Sequence, residues 1–325
     1  MGINIEALLD RTDSMRERCV SGVPVQENPA AWLGVTIGAL ARQGRDKLTL
    51  ITSPSIGSFG LWLEQLIAES TGKEGKGILP IVGEPLTASA HYGGDRLFVC
   101  LKLEGDNNAA IDTAVESIKS SGQPVVDLEL RDRYDLGAEF FRWEFATAVA
   151  GAILGINPFD QPNVQAAKDA TQRVLQEYQT AGRLPMVEVA GSLADLLAET
   201  RRGDYFAIMA YLRQTPEIEA ALADFRRKVT EKYHIVTTAG YGPRLLHSTG
   251  QLHKGGPDTG LFLQVTTDHE KDLSIPGEPY TFGVLADAQA LGDLQALQSL
   301  GRRVSRIHLG LGNGAALRKL TGELM

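Results

Sequence analysis

Hydrophobic residues along this chain alternate between two rhythms, one with helical spacing and one of short continuous runs. From Ile5 to Arg18 the apolar positions recur at helical spacing among many charges, which predicts an amphipathic surface helix. Pro24 and the Glu27-Asn28-Pro29 triplet break it, and a second, more apolar helix follows from Ala30 to Gln43. Lys47 to Thr52, KLTLIT, is a β-rich run bounded by turn residues and reads as a strand. A helix from about Gly60 to Glu69 and a loop from Ser70 to Lys76 come next. Arg96 to Leu103 and Pro124 to Leu130 read as strands separated by a helix from Ala109 to Ser120. Strand, helix, strand in that order predicts a parallel sheet with crossover connections.

The second half repeats the alternation. A long apolar helix from Leu136 to Leu154 runs into Asn157-Pro158-Phe159-Asp160-Gln161-Pro162, whose prolines forbid its continuation. A helix from about Val164 to Thr180 stops near Gly182, and the Gly182-Arg183 step is the expected domain boundary. Beyond it, strands are expected at Tyr205 to Leu212, Ile235 to Ala239, Gly260 to Thr266 and Val304 to Leu309, with helices at Thr215 to Tyr233 and Asp287 to Leu300. The expected fold class is α/β throughout, with one domain over residues 1–182 and a second α/β domain over 183–325. No short repeat or low-complexity tract interrupts this pattern.

Composition narrows the function classes. At 325 residues the chain is long enough for two cores, and 43% hydrophobic with 22% charged residues is ordinary globular composition. No window approaches the roughly 18 uninterrupted apolar residues of a membrane helix. A net charge of −8 with no basic run argues against nucleic acid as a partner. Cys19 and Cys100 cannot make a disulfide framework, and MGINIEALLDRTDS has acids where a signal peptide needs a basic flank and an apolar run, so the chain reads as cytoplasmic.

Three segments could carry chemistry. In QLIAESTGKEGKG, residues 65–77, Glu69 ends a helix whose preceding turns are apolar, and Gln65 lies one turn earlier on the same face. A partly buried carboxylate there could act as a general base, and a solvated glutamate at a helix end is the plain alternative. In NPFDQPNVQAAK, residues 157–168, the prolines and Phe159 fix the chain path and Lys168 follows on the next helix; the plain alternative is a rigid turn with an exposed lysine. In YGPRLLHSTGQLHKGG, residues 241–256, His247 lies among small and apolar residues, suited to proton transfer or to a structural role, and His253 six positions on matches no common zinc spacing. No metal and no cofactor is expected. Two glycine-rich turns, Ser53 to Gly60 and Gly310 to Gly314, suggest phosphate or dinucleotide cradles. The first is explained as well by a helix cap, and only eleven residues follow the second, too few for the βαβ unit its fingerprint requires.

Together these segments resemble the phosphoglucose isomerase family, which is built from sugar isomerase (SIS) domains. QLIAESTGK is similar to the stretch carrying the family's catalytic glutamate, and residues 157–168 are similar to its signature NPFDQPGVExGK, with Asn163, Gln165 and Ala167 in place of Gly, Glu and Gly. HSTGQLHKGG, residues 247–256, resembles the family's histidine loop. The resemblance implies a three-layer α/β/α SIS-like parallel sheet over about residues 30 to 180, with Glu69 at a cleft beyond the carboxyl ends of the strands. It implies Glu69 as the base moving a proton between C1 and C2 of an open-chain sugar, Lys168 and His247 as the groups that help open the ring, and Gln65 and Gln161 as substrate-binding residues.

Two departures from the family accompany this likeness. His247 lies after Lys168, whereas most of the family has its histidine loop before the NPFDQP segment; this order is similar to that of bacterial transaldolase/phosphoglucose isomerase fusion proteins. No GGR(F/Y)S motif and no serine- and threonine-rich phosphate loop is found, so the resemblance implies the C-terminal part of a longer glucose-6-phosphate isomerase. The partners it implies are a sugar phosphate, the amino-terminal SIS part, a transaldolase domain of a fusion parent, and a homodimer in which His247 would enter from a second copy. Two other classes stand beside it: a non-catalytic SIS module that binds a sugar phosphate, and a nicotinamide-dependent dehydrogenase resting on Gly310 to Gly314 alone.

Overall fold

Asparagine and proline decide where the first two helices begin. The Asn4 side chain accepts a hydrogen bond from the Ala7 backbone N–H at 3.1 Å, opening α1 (Ile5–Arg18). Asn28 does the same for Ala31 at 2.9 Å, with Pro29 in the first turn of α2 (Pro29–Arg42). The computed structural model describes residues 2–187, 191–311 and 313–324.

The first unit is built on β1 (Lys47–Thr52), β2 (Leu79–Val82), β3 (Arg96–Leu103) and β4 (Val125–Leu130), all parallel, in the order β2-β1-β3-β4. Helix α3 (Gly57–Thr71) links β1 to β2 and α4 (Ala109–Ser120) links β3 to β4. The two links run outward in opposite directions, so right-handed crossovers put the two helices on opposite faces of the sheet. Leu48, Leu50, Leu97, Val99 and Leu101 share a core with Leu63 and Ile67 of α3 and with Trp143, Ala146 and Ala150 of α5 (Leu136–Leu154). β2 was not expected from the sequence: four residues with a proline among them, LPIV, give too short a run to stand out.

The second unit repeats the plan. After α6 (Val164–Ala181) and α7 (Leu193–Ala198), β5 (Tyr205–Tyr211), β6 (Val236–Tyr241), β7 (Gly260–Thr266) and β8 (Arg303–His308) pair in parallel in the order β6-β5-β7-β8. The crossovers are α8 (Pro216–Tyr233) between β5 and β6, and α10 (Phe282–Ser299) between β7 and β8; α9 (Gly250–Gly255) precedes β7, and α11 (Asn313–Gly322) follows β8. β5 and β7 are buried along their whole length, as central strands of a doubly covered parallel sheet are.

Residues 1–83, 88–90 and 94–160 form one compact unit, and 84–87, 91–93 and 161–325 the other. The division therefore falls at Asp160, ahead of the Gly182-Arg183 step, and α6 lies with the second unit rather than with a sheet extending to residue 180. The reason is packing: α6 lies along α10 so closely that a side chain at Gly292 would strike the Thr171 backbone. Among the described residues no helix is long and apolar enough to cross a membrane.

Candidate functional site

Helix α3 has two faces. Leu63, Glu64, Ile67, Ala68 and Thr71 are buried, the i, i+4 stripe expected of a helix on a sheet. Gln65 is exposed and Glu69 half-buried, one turn apart on another face, and the Gln65 amide donates to the Glu69 carboxylate at 3.3 Å. Glu64 is the buried carboxylate of this helix, at 4% exposure. Its signal in the sequence is a charged residue on an apolar stripe of period 3.6.

Glu69 is not at the carboxyl ends of the strands. α3 leaves the carboxyl end of β1 and must run back antiparallel to it before β2 can begin in parallel, so its last turn lies at the amino edge of the sheet. Two hydrogen bonds fix that edge. The Leu79 N–H donates to the Asp46 carbonyl at 2.8 Å, just ahead of β1, and the Ile78 N–H donates to Thr71 Oγ1 at 3.0 Å. The expectation of Glu69 beyond the carboxyl ends is thereby corrected.

Past the helix, Lys73 is 1% exposed and reaches the NPFD turn, where its ammonium donates to the Asp160 carboxylate at 2.8 Å and also to the Asp160 carbonyl. Asn157 completes the turn, accepting from the Phe159 N–H at 3.1 Å and donating to the other Asp160 carboxylate oxygen at 3.2 Å. Lys76 donates to the Gly155 carbonyl at 3.2 Å. The stretches 65–76 and 155–160, far apart in sequence, are thus fastened by two lysines.

In the second unit, Asn163 stands at the start of α6 but does not cap it. Its side chain pairs with Gln251 instead: the Gln251 amide donates to Asn163 Oδ1 at 2.9 Å, and the Asn163 backbone N–H donates to Gln251 Oε1 at 3.0 Å. Gln161 is exposed just ahead of it, and Lys168 is exposed on α6. His247 is exposed on a short 3-10 turn, Arg244–His247, against which α6 packs. The structure therefore brings Gln65 to Glu69 in one unit, and in the other places Lys168 and His247 on neighbouring elements with no hydrogen bond between them among the described residues.

The interior of the HSTGQLHK segment is structural. His253 is buried beside the Tyr205 and Phe262 rings, 6.1 and 4.9 Å away between centroids, and burial, with Lys254 and Arg302 adding to it, pushes its pKa down to about 3. It is a neutral imidazole without a hydrogen-bond partner. Lys254, also buried, pairs with the buried Asp293 of α10 at 2.7 Å and donates to the Gly250 carbonyl at 3.1 Å. Neither this ion pair nor the Lys73–Asp160 pair was legible in the sequence, where the partners lie 39 and 87 positions apart. No group of three or more His, Cys, Asp or Glu side chains gathers as a metal site among the described residues.

No family model matches the chain. In an alignment of 204 positions that covers 51% of the chain, it is 27% identical to a glucose-6-phosphate isomerase of Enterococcus faecalis, and in one of the same extent 28% identical to one of Bacillus cereus. The match covers 45% of each of those proteins, so the chain spans about half the length of the curated relatives it matches. Among solved structures, a glucose-6-phosphate isomerase from Chlamydia trachomatis overlaps 55% of this chain and 43% of its own, with 15% identity and a TM-score of 0.43. About half of this chain is thus related in sequence to the glucose-6-phosphate isomerases.

Proposed function

We propose that this chain carries part of the proton-transfer apparatus of an isomerase interconverting glucose 6-phosphate and fructose 6-phosphate. Glu69 is the base: its carboxylate removes the proton from C2 of the open-chain aldose, leaving an enediolate, and returns it to C1 as O1 gains a proton and O2 loses one. Gln65 orients that carboxylate through its amide. Lys168 and His247 assist ring opening, one group giving a proton to the ring oxygen as the anomeric hydroxyl loses one, and Gln161 contacts sugar hydroxyls. The observation that carries this reading is the Lys73–Asp160 bond, which joins the glutamate-bearing stretch to the NPFD turn. Two segments that separately resemble one family's signatures are fastened to each other, as parts of one working region would be. The amino-terminal SIS part, a transaldolase domain and a second copy of the chain remain the proposed partners.

Glu69→Gln within the natural polypeptide tests it, with both forms melted as a folding control. The amide keeps the shape and loses the proton acceptor, so kcat is expected to fall about 10²- to 10⁴-fold while KM stays nearly unchanged. Turnover within tenfold of the unaltered protein would remove Glu69 as the base. Saturable binding of glucose 6-phosphate with no turnover by the unaltered protein would favour a non-catalytic sugar-phosphate-binding module instead.

A further inference from the structure

In a parallel sheet whose crossovers run outward in both directions, ligands bind where the strand order reverses, outside the carboxyl ends. In the second unit that point lies between β5 and β7, and a cavity of about 850 Å³ opens there. It is remote in sequence from Glu69 and none of the residues assigned above lines it. We infer that this cavity is a second binding site, for an unphosphorylated polyhydroxylated molecule of sugar size.

Its chemistry selects against phosphate. Glu217, Asp268, Glu270 and Asp287 place four carboxylates on the wall against the two fixed cations of Arg213 and Lys271. Asp287 pairs with His269 at 3.1 Å, Asp268 with His308 at 3.2 Å and Glu217 with Arg318 at 2.7 Å, so three of the four acids are held in place. Two helix starts line the cavity, those of α8 and α11, and the first is poorly suited to anions. Pro216 has no N–H, the Ile218 N–H is taken by Thr215 Oγ1 at 3.3 Å, and Glu217 and Glu219 put negative charge in the first turn. The turn after β5, Leu212-Arg213-Gln214-Thr215, contains no glycine and so forms no pyrophosphate cradle.

The same wall suits hydroxyl groups. Carboxylates accept from several hydroxyls, and Arg213 and Lys271 donate to hydroxyl oxygens. The glycine-rich stretch that makes a poor dinucleotide fingerprint contributes Gly314 here. Gly314 lines the cavity, and any side chain on it would collide with Glu217.

The test is NMR of the histidine side chains, with the His269 signal assigned by a His269→Gln control among the chain's six histidines. Titration with D-glucose or sorbitol is expected to move the His269 signal saturably in the millimolar range, with glucose 6-phosphate at least about tenfold weaker at that signal. Asp287→Asn should weaken the polyol about tenfold or more, and Glu69→Gln should leave it unchanged. The proposal is overturned by an unmoved His269 signal, by glucose 6-phosphate acting there as strongly as glucose, by undiminished binding in Asp287→Asn, or by loss of the response in Glu69→Gln. Because this readout does not involve turnover, it stands or falls separately from the role proposed for Glu69.

Discussion

The two units set four parallel strands in the same order, yet they fasten loops in opposite ways. In the first, buried Lys73 reaches outward to a carboxylate, Asp160, that is 52% exposed, so water shares in the solvation of the pair. In the second, Lys254 and Asp293 are 3% and 1% exposed, and each other and the Gly250 carbonyl offset the loss of water. Identical topology therefore says little about how firmly a loop is held. What decides it is how much water each ion keeps.

The contrast is broken most severely at Asp293. Asp293→Ala leaves the Lys254 ammonium buried without its counter-charge, and the expected loss of stability is about 3–5 kcal/mol, measured by urea unfolding. A joint Lys254→Met, Asp293→Leu variant should recover most of it. A loss below about 1 kcal/mol for Asp293→Ala would mean that water reaches the pair. Asp160→Ala is the matched experiment in the first unit. Because Asp160 is half exposed and its backbone carbonyl still accepts from Lys73, the cost should be only about 1–3 kcal/mol. An equal cost at the two sites would erase the distinction.

The second unit also carries a pH dependence. His253 takes up a proton near pH 6.5 when unfolded but only near pH 3 when folded, so the unfolded chain binds more protons throughout that interval. Its contribution is intact above pH 6.5 and is lost as pH falls towards 3, with a slope of about 1.4 kcal/mol per pH unit. His253→Phe should flatten the acid limb of the stability curve by that slope. An unchanged slope would show that the imidazole is already charged or hydrated in the folded protein.

Local patterns made much of the fold readable. KLTLIT, the run from Arg96 to Leu103 and the run from Tyr205 mark strands found within a residue or two, because each is a continuous apolar stretch bounded by turn residues. α10 begins five residues before the expected Asp287, since its start is set by the Thr281 hydroxyl accepting from the Val284 N–H rather than by any periodicity. α9 escaped notice because its glycines disguise a helix that packing sustains. At the candidate site the Gln65–Glu69 pair was readable from an i, i+4 spacing, which any helix converts into proximity. The edge at which Glu69 sits also followed from the strand and helix assignments, through the reversal a crossover helix must make, and the expectation neglected that reversal.

The sequence by itself determined the alternation of strands and helices, the parallel class of both sheets, the helix face shared by Gln65 and Glu69 and the likeness of two segments to the isomerases. All of these are encoded in residues a few positions apart, where backbone geometry fixes distance. Only the tertiary structure decided that Asp160 answers Lys73, that Asn163 answers Gln251 rather than capping its own helix, that Lys254 is buried against Asp293, and that acids gather over the reversal point of the second sheet. Those pairings join residues tens of positions apart, and no spacing rule reaches across them. Their geometry is set by the order of strands in each sheet and by the helices packed upon it.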